Sequence, residues 1–214
     1  MAKLALIADD VTGAADSGVQ FAQRGFSTEL LLHWGTVSDA QVLIVDTESR
    51  AAPPAIARAK VHAAAASLPP IQYIYKKIDS TLRGNLGAEL EAIMDARKIV
   101  RAVVAPAFPA TGRTTVSGHQ LLSGRPLEDT PFAHDPLCPV ADSYIPALLG
   151  RQMRPKVGLI ELALVREGVR MLAETMRTRE EAVLVVDAVR DEDLLTIARA
   201  AAHAGLARLT CGSA

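Results

Sequence analysis

KLALIADDVTGA, residues 3–14, is an apolar run that leads straight into two carboxylates, a threonine and a glycine. From Leu4 to Ala8 no polar side chain interrupts it, as expected of a strand buried on both faces inside a parallel sheet. The acids Asp9 and Asp10 then fall at the strand's carboxyl end, and Thr12-Gly13 at the start of a helix. The same grammar recurs outward from there. Apolar runs at 28–32, 41–45, 71–75, 100–105, 156–160, 183–187 and 208–211 alternate with helical periodicity at 13–24, 53–67, 85–97, 161–177 and 191–204. Pro53 and Pro54 suit a helix start, where a missing N–H costs nothing. The alternation predicts an α/β fold of three layers, a doubly wound and mostly parallel sheet between helices. The pattern leaves strand order open.

Residues 106–146 break the rhythm with seven prolines (106, 109, 126, 131, 136, 139 and 146) and with Gly112, Gly118 and Gly124. A loop-rich excursion of this length inside a compact domain points to function or to disorder. Its inner part, TTVSGHQLLSGRPL, predicts a small hairpin turning at Ser123-Gly124.

Composition narrows the function classes. The 214 residues are 50% hydrophobic, 22% charged and only 4% aromatic, which suits a globular domain with an aliphatic core. A net charge of −1 without any basic stretch offers no footprint for nucleic acid. Cys138 and Cys211 stand far apart, with no metal-ligand spacing and no disulfide framework, so a reducing cytoplasm is expected. Residues 1–8 are too short for a secretion signal, and no run approaches the length needed to span a membrane.

Three clusters carry chemistry, each directly after an apolar run. At Asp9-Asp10-Val11-Thr12-Gly13, adjacent carboxylates repel, which prepares one of them as a base, while the helix N-terminus attracts anions. The plainer alternative is an Asp or Thr N-cap beside a solvated acid. Lys76-Lys77-Ile78-Asp79-Ser80-Thr81-Leu82-Arg83-Gly84-Asn85 gathers cations, a carboxylate and hydroxyls, with Arg83 as a two-pronged donor. Here the alternative is a polar turn in which Asp79 or Ser80 caps a helix. In the proline-stiffened 106–114, Arg113 is an anion-ligand candidate or a surface arginine on a rigid connector. A parallel sheet brings all three clusters to one edge, predicting a pocket for a small hydroxylated anion. Glu48 and Arg50 can rim that edge. His119 and His134 have no second ligand at metal spacing, Asp135 suits a turn, and Trp34 is read as packing.

The strings DDVTGA (9–14), KIDSTLRGN (77–85), PAFPATGRTT (106–115) and HDPLCPV (134–140) resemble, in this order, the four-carbon acid sugar kinase family. The resemblance covers nearly the whole chain. It implies that residues 1–214 form a sugar-acid-binding domain whose relatives phosphorylate threonate, erythronate or 3-oxo-tetronate with ATP. It implies substrate contacts at Asp9, Asp10, Lys77, Asp79, Ser80, Arg83 and Arg113; the reading of the clusters adds the N–H groups near Thr12-Gly13 as holders of the substrate carboxylate and Asp10 or Asp79 as the catalytic base. ATP and Mg2+ belong to a C-terminal nucleotide-binding domain or separate subunit, because no Walker-type glycine loop occurs here. Self-association is left open, and activity of the chain alone is not expected.

Two rival readings remain. One is a stand-alone module that binds a sugar acid and catalyses nothing. The other is a receiver-like domain, with the paired acids beside Asp46 as phospho-acceptor, which leaves the 77–85 cluster unexplained.

Overall fold

The structure is a computed structural model and describes residues 3–31, 33–36 and 38–213. The first half of the chain runs β1 (Leu4–Ala8), α1 (Val11–Gln23), β2 (Thr28–Leu31), β3 (Val42–Asp46), α2 (Pro54–Ser67), β4 (Tyr73–Lys77), α3 (Leu86–Arg97) and β5 (Ala102–Ala105). A small antiparallel insert follows, β6 (Arg113–Val116), β7 (His119–Leu122) and β8 (Arg125–Pro126). The remainder is α4 (Ile145–Gln152), β9 (Val157–Ile160), α5 (Leu162–Arg166), α6 (Val169–Thr178), β10 (Val183–Val186), α7 (Asp191–His203) and β11 (Leu209–Gly212).

Eight strands form one sheet in the order β2-β3-β1-β4-β11-β5-β10-β9, and every neighbouring pair is parallel. The strands are apolar throughout because both faces are covered. In β1, Ala5 and Ile7 join a core with α2, α3 and α4, whereas Leu6 and Ala8 pack with α1 on the opposite face. In β10, Val183 and Val185 join the first core, and Leu184 and Val186 meet α6 and α7 on the other face. Each fully buried Val, Leu or Ile contributes about 1.5–3 kcal/mol, so a strand with polar residues at every second position would not hold this place.

β1 lies between β3 and β4. The helix after β1 packs on one face, whereas the helices after β3 and β4 pack on the other. Helix direction therefore switches on both sides of β1, which opens a crevice at its carboxyl end, where parallel α/β sheets take their ligands.

The architecture is the three-layer, doubly wound fold expected, with all eight expected strands present, although Leu32 of the run 28–32 lies outside the described residues. Three local readings change. The run read as 71–75 forms its strand at Tyr73–Lys77, so Lys76 and Lys77 are strand residues and not loop residues. The helical segment 161–177 is two helices, because Gly168 takes a φ of +93° that a continuing helix forbids. The excursion at 106–146 is ordered into the antiparallel insert, with turns at Ser117-Gly118 and, as expected, at Ser123-Gly124. Thr115 pairs with Ala188 just beyond β10, and Asp187 accepts the N–H groups of Ser117 and Gly118, which pins the insert to the sheet's carboxyl edge.

Candidate functional site

At the end of β1, Asp9 and Asp10 meet one arginine that the β3–α2 connection supplies. Arg50 donates to both Asp9 oxygens, Nε at 2.7 Å and Nη2 at 3.0 Å, and its Nη1 donates to Asp10 Oδ2 at 2.7 Å. Burial alone would pull the guanidinium pKa down, but Asp9, then Asp79 and Asp10, push it up. A single fork thus bridges both acids and balances one of their two charges, a geometry that lysine cannot supply. Asp10 also caps α1, its Oδ1 accepting from Gly13 N–H at 3.0 Å. The capping alternative is realised at this acid, and the Gly13 N–H is spent on it. Side-chain exposure separates the acids: 28% for Asp10, 4% for Asp9 and 12% for Asp79. Asp10 is the carboxylate a ligand can reach.

Lys77, at the end of β4, sends its ammonium to the same place from the α1 side of the sheet. It is 5% exposed and donates to the Ile78 carbonyl at 2.9 Å. Among the described residues no carboxylate oxygen lies within ion-pair distance of it. Burial depresses its pKa, and Asp9 and Asp10 only partly oppose that. Gly13 leaves room for both groups: a Cβ would stand 2.7 Å from Lys77 Nζ and 2.6 Å from Asp10 Oδ1, so either side chain would have to shift.

The loop after β4 is held differently. Asp79 accepts from Arg83 Nε at 2.6 Å and from Thr81 Oγ1 at 2.5 Å. Burial would raise its pKa, but these bonds hold it below the usual carboxylate range. Asp79 does not cap α3; that helix begins after Asn85 without a side-chain cap bond. Arg83 reaches Asp135 with Nη1 at 3.1 Å and lies over the Phe132 ring at 5.3 Å. Asp135 does make the expected turn, accepting from the N–H groups of Leu137 and Cys138, yet its other oxygen holds Arg83. Arg83 is therefore engaged on two sides by the protein itself.

Two buried amides tie the clusters together. Asn85 donates to the carbonyls of Ser49, Arg50 and Ala52, which fixes the arginine loop against the β4 loop. Gln120, in the insert, donates to the Ser80 and Pro106 carbonyls. Ser80 is thereby oriented at its backbone, and Thr12 is exposed on the first turn of α1. Among the described residues no hydrogen bond brings Arg113 to this centre: its Nη1 donates to Thr111 O, and its buried Nε has no partner among them. Arg50 is the residue that sequence reasoning placed only on the rim. The available signal was an arginine following a strand that pairs with the strand of the acids, and that pairing is not legible from one sequence.

Beside these residues lies a cavity of about 660 Å3, walled by Val11, Trp34, Asp46, Thr47, Glu48 and Lys60 among others. Trp34 is not simply packing: it lines this space and donates from Nε1 to the Asp46 carbonyl at 3.3 Å. Among the described residues no three of His, Cys, Asp and Glu converge as a metal centre needs, and His119 instead pairs with Ser143 Oγ at 3.0 Å. No helix among them is long and apolar enough to cross a membrane.

The family model for a sugar-binding N-terminal domain matches residues 4–214. The D-threonate kinase of Salmonella typhimurium strain LT2 is 42% identical over 99% of this chain and 52% of its own length. The D-erythronate kinase of Heliobacterium modesticaldum is 39% identical over 96% of this chain and 49% of its own. The chain belongs to the four-carbon acid sugar kinase family. It spans about half the length of the curated family members it matches. A family structure from Bordetella bronchiseptica, crystallised with citrate as a domain-swapped dimer, superimposes with a TM-score of 0.88 at 36% identity, over 99% of this chain and 55% of that one.

Proposed function

We propose that residues 1–214 bind a four-carbon sugar acid and present its terminal hydroxyl for phosphorylation by a nucleotide-binding half. The observation that carries this is Lys77, a buried ammonium beside an acid pair bridged by Arg50, with no carboxylate within ion-pair distance of it among the described residues. Such a cation is set to receive an anionic group, and the substrate carboxylate is the natural one. Thr12 and Ser80 flank it as hydroxyl and backbone contacts. Asp10, the accessible acid, orients the terminal hydroxyl and accepts its proton during transfer. Asp79 and Arg83 act mainly on each other, with Asp135, and stiffen the loop that carries Ser80. Phosphoryl transfer depends largely on positioning and charge neutralisation, so a sugar half and a nucleotide half can be separate bodies. ATP and Mg2+ are assigned to the other half, since the sequence holds no Walker-type glycine loop to cradle the phosphates.

The relatives named as D-threonate and D-erythronate kinases support the substrate class, and the citrate held by the Bordetella protein is likewise a hydroxy acid. The receiver-like alternative is disfavoured because Arg50 occupies both acids that would hold its ion. Calorimetric titration with D-threonate, D-erythronate and 3-oxo-tetronate, then with Mg-ATP, tests the reading. Heat from a sugar acid and none from Mg-ATP is the expected result; tight nucleotide binding would overturn it. In a complete two-domain relative, Asp10→Asn at the aligned position should lower turnover by about 10²–10⁴-fold, and unchanged turnover would remove Asp10 from the role of base.

A further inference from the structure

On the face of the sheet that carries α1 and α7, a strip between these helices stands open. Two adjoining cavities, about 310 Å3 and 180 Å3, share Tyr75 and Ser213 and run across β5, β11 and β4 from one helix to the other. The floor is apolar or small, with Val103, Ala105, Tyr75 and Thr210, and the α7 wall is Leu194, Ile197, Ala198 and Ala201. The opposite wall is α1, through Ser17, Gln20 and Phe21. β4 and β11, the strands between the two walls, make a strip about 10 Å wide, the width of one helix. Elsewhere on this face the sheet lies under α1, α6 and α7. Ser17 gives a second, independent sign: its hydroxyl is buried, borders the cavity and has no hydrogen-bond partner among the described residues. A buried polar group left unpaired is costly, so the groove lacks a partner group as well as apolar cover.

We propose that this groove seats a helix from the half that the curated relatives carry beyond the matched N-terminal domain. That helix presents an apolar stripe to Ala105, Ala198 and Ala201, whose small side chains allow close approach, and a polar group to Ser17 Oγ. The inference rests on the reading above only in taking the other half to be the nucleotide-binding one. Tyr75 of the groove floor lies on β4, two residues before Lys77, so a helix seated there anchors the second half on the strand that carries the site's buried ammonium.

The test compares maleimide labelling at one position in two proteins. Ala198→Cys in this chain, and cysteine at the aligned position of the intact Salmonella D-threonate kinase, are labelled with N-ethylmaleimide and read by peptide mass spectrometry. Labelling should be slower by about 100-fold or more in the intact protein, where reaction needs local opening. A cysteine at Glu192, on α7 but outside the groove, should label at similar rates in both. Equal rates at the Ala198 position would overturn the proposal. Calorimetry with D-threonate on the unsubstituted chain keeps the two readings apart: absence of heat there would sink the functional reading and leave the labelling result standing.

Discussion

Lys76 and Lys77 are neighbours on β4, yet they live in two different molecules' worth of chemistry because successive strand residues face opposite sides of the sheet. Lys76 points toward α3, is wholly buried and pairs with Glu89 Oε2 at 2.7 Å, while also donating to the Lys77 carbonyl. Burial would lower its pKa, but Glu89 and then Asp9 raise it. Lys77 points toward α1 and the site, and burial depresses its pKa. The same residue type is thus a paired structural ion on one face and, on the other, a cation with no carboxylate in ion-pair contact among the described residues. A buried charge with its partner holds a fold together; a buried charge without one stores binding capacity for a ligand.

The largest expected effect is at the structural lysine. Lys76→Met leaves Glu89 charged and unpaired in the core, which should destabilise the domain by about 3–5 kcal/mol. Adding Glu89→Leu should recover most of that loss, because a well-packed apolar pair replaces a buried ion pair at little cost. Urea denaturation of both variants measures this, and a double variant no more stable than the single one would mean that the pair does more than satisfy itself.

Lys77→Met should do the opposite. Stability stays level or rises, because an incompletely compensated buried charge is removed, while affinity for the sugar acid falls by about 10–100-fold, the worth of one charged hydrogen bond. Equal stability losses at the two lysines would erase the contrast.

The smaller effect is in pH, and the two lysines predict opposite signs. A base whose folded pKa is lowered binds fewer protons folded than unfolded, so Lys77 makes stability rise with pH between its depressed value and the ordinary 10.5. Lys76, raised above 10.5, contributes stability that is present below that pH and lost as pH climbs through its folded value. Sugar-acid affinity should meanwhile begin to fall below pH 10.5, as Lys77 loses its proton. Thermal denaturation and calorimetry across alkaline pH separate these trends, and Lys77→Met should abolish the first and the third only.

Much of this was legible early, for physical reasons tied to particular residues. Runs such as Leu4–Ala8 and Val183–Val186 could only be doubly buried strands, and the polar clusters after them had to lie at the carboxyl edge. That placement points to the clusters holding Asp10 and Lys77, and the family resemblance singles out Lys77 within its own. Arg50 and Asp135 were underrated because their worth comes from partners 41 and 52 positions away in the chain, Asp9 and Arg83. Arg83, read from its cluster as a two-pronged donor, meets Asp79 as its local partner and Asp135 across the chain.

The elements and the carboxyl edge are written in the sequence. Apolar runs, helical periodicity and the acids, lysines and hydroxyls that follow the strands are local facts, carried by consecutive residues. Which side each residue serves is settled by the pairing of strands. Setting β1 between β3 and β4 delivers Arg50 to Asp9 and Asp10, and the register of β4 sends Lys76 to Glu89 and Lys77 to the site. Strand pairing joins segments distant in sequence, and a shift of one residue would exchange the two lysines.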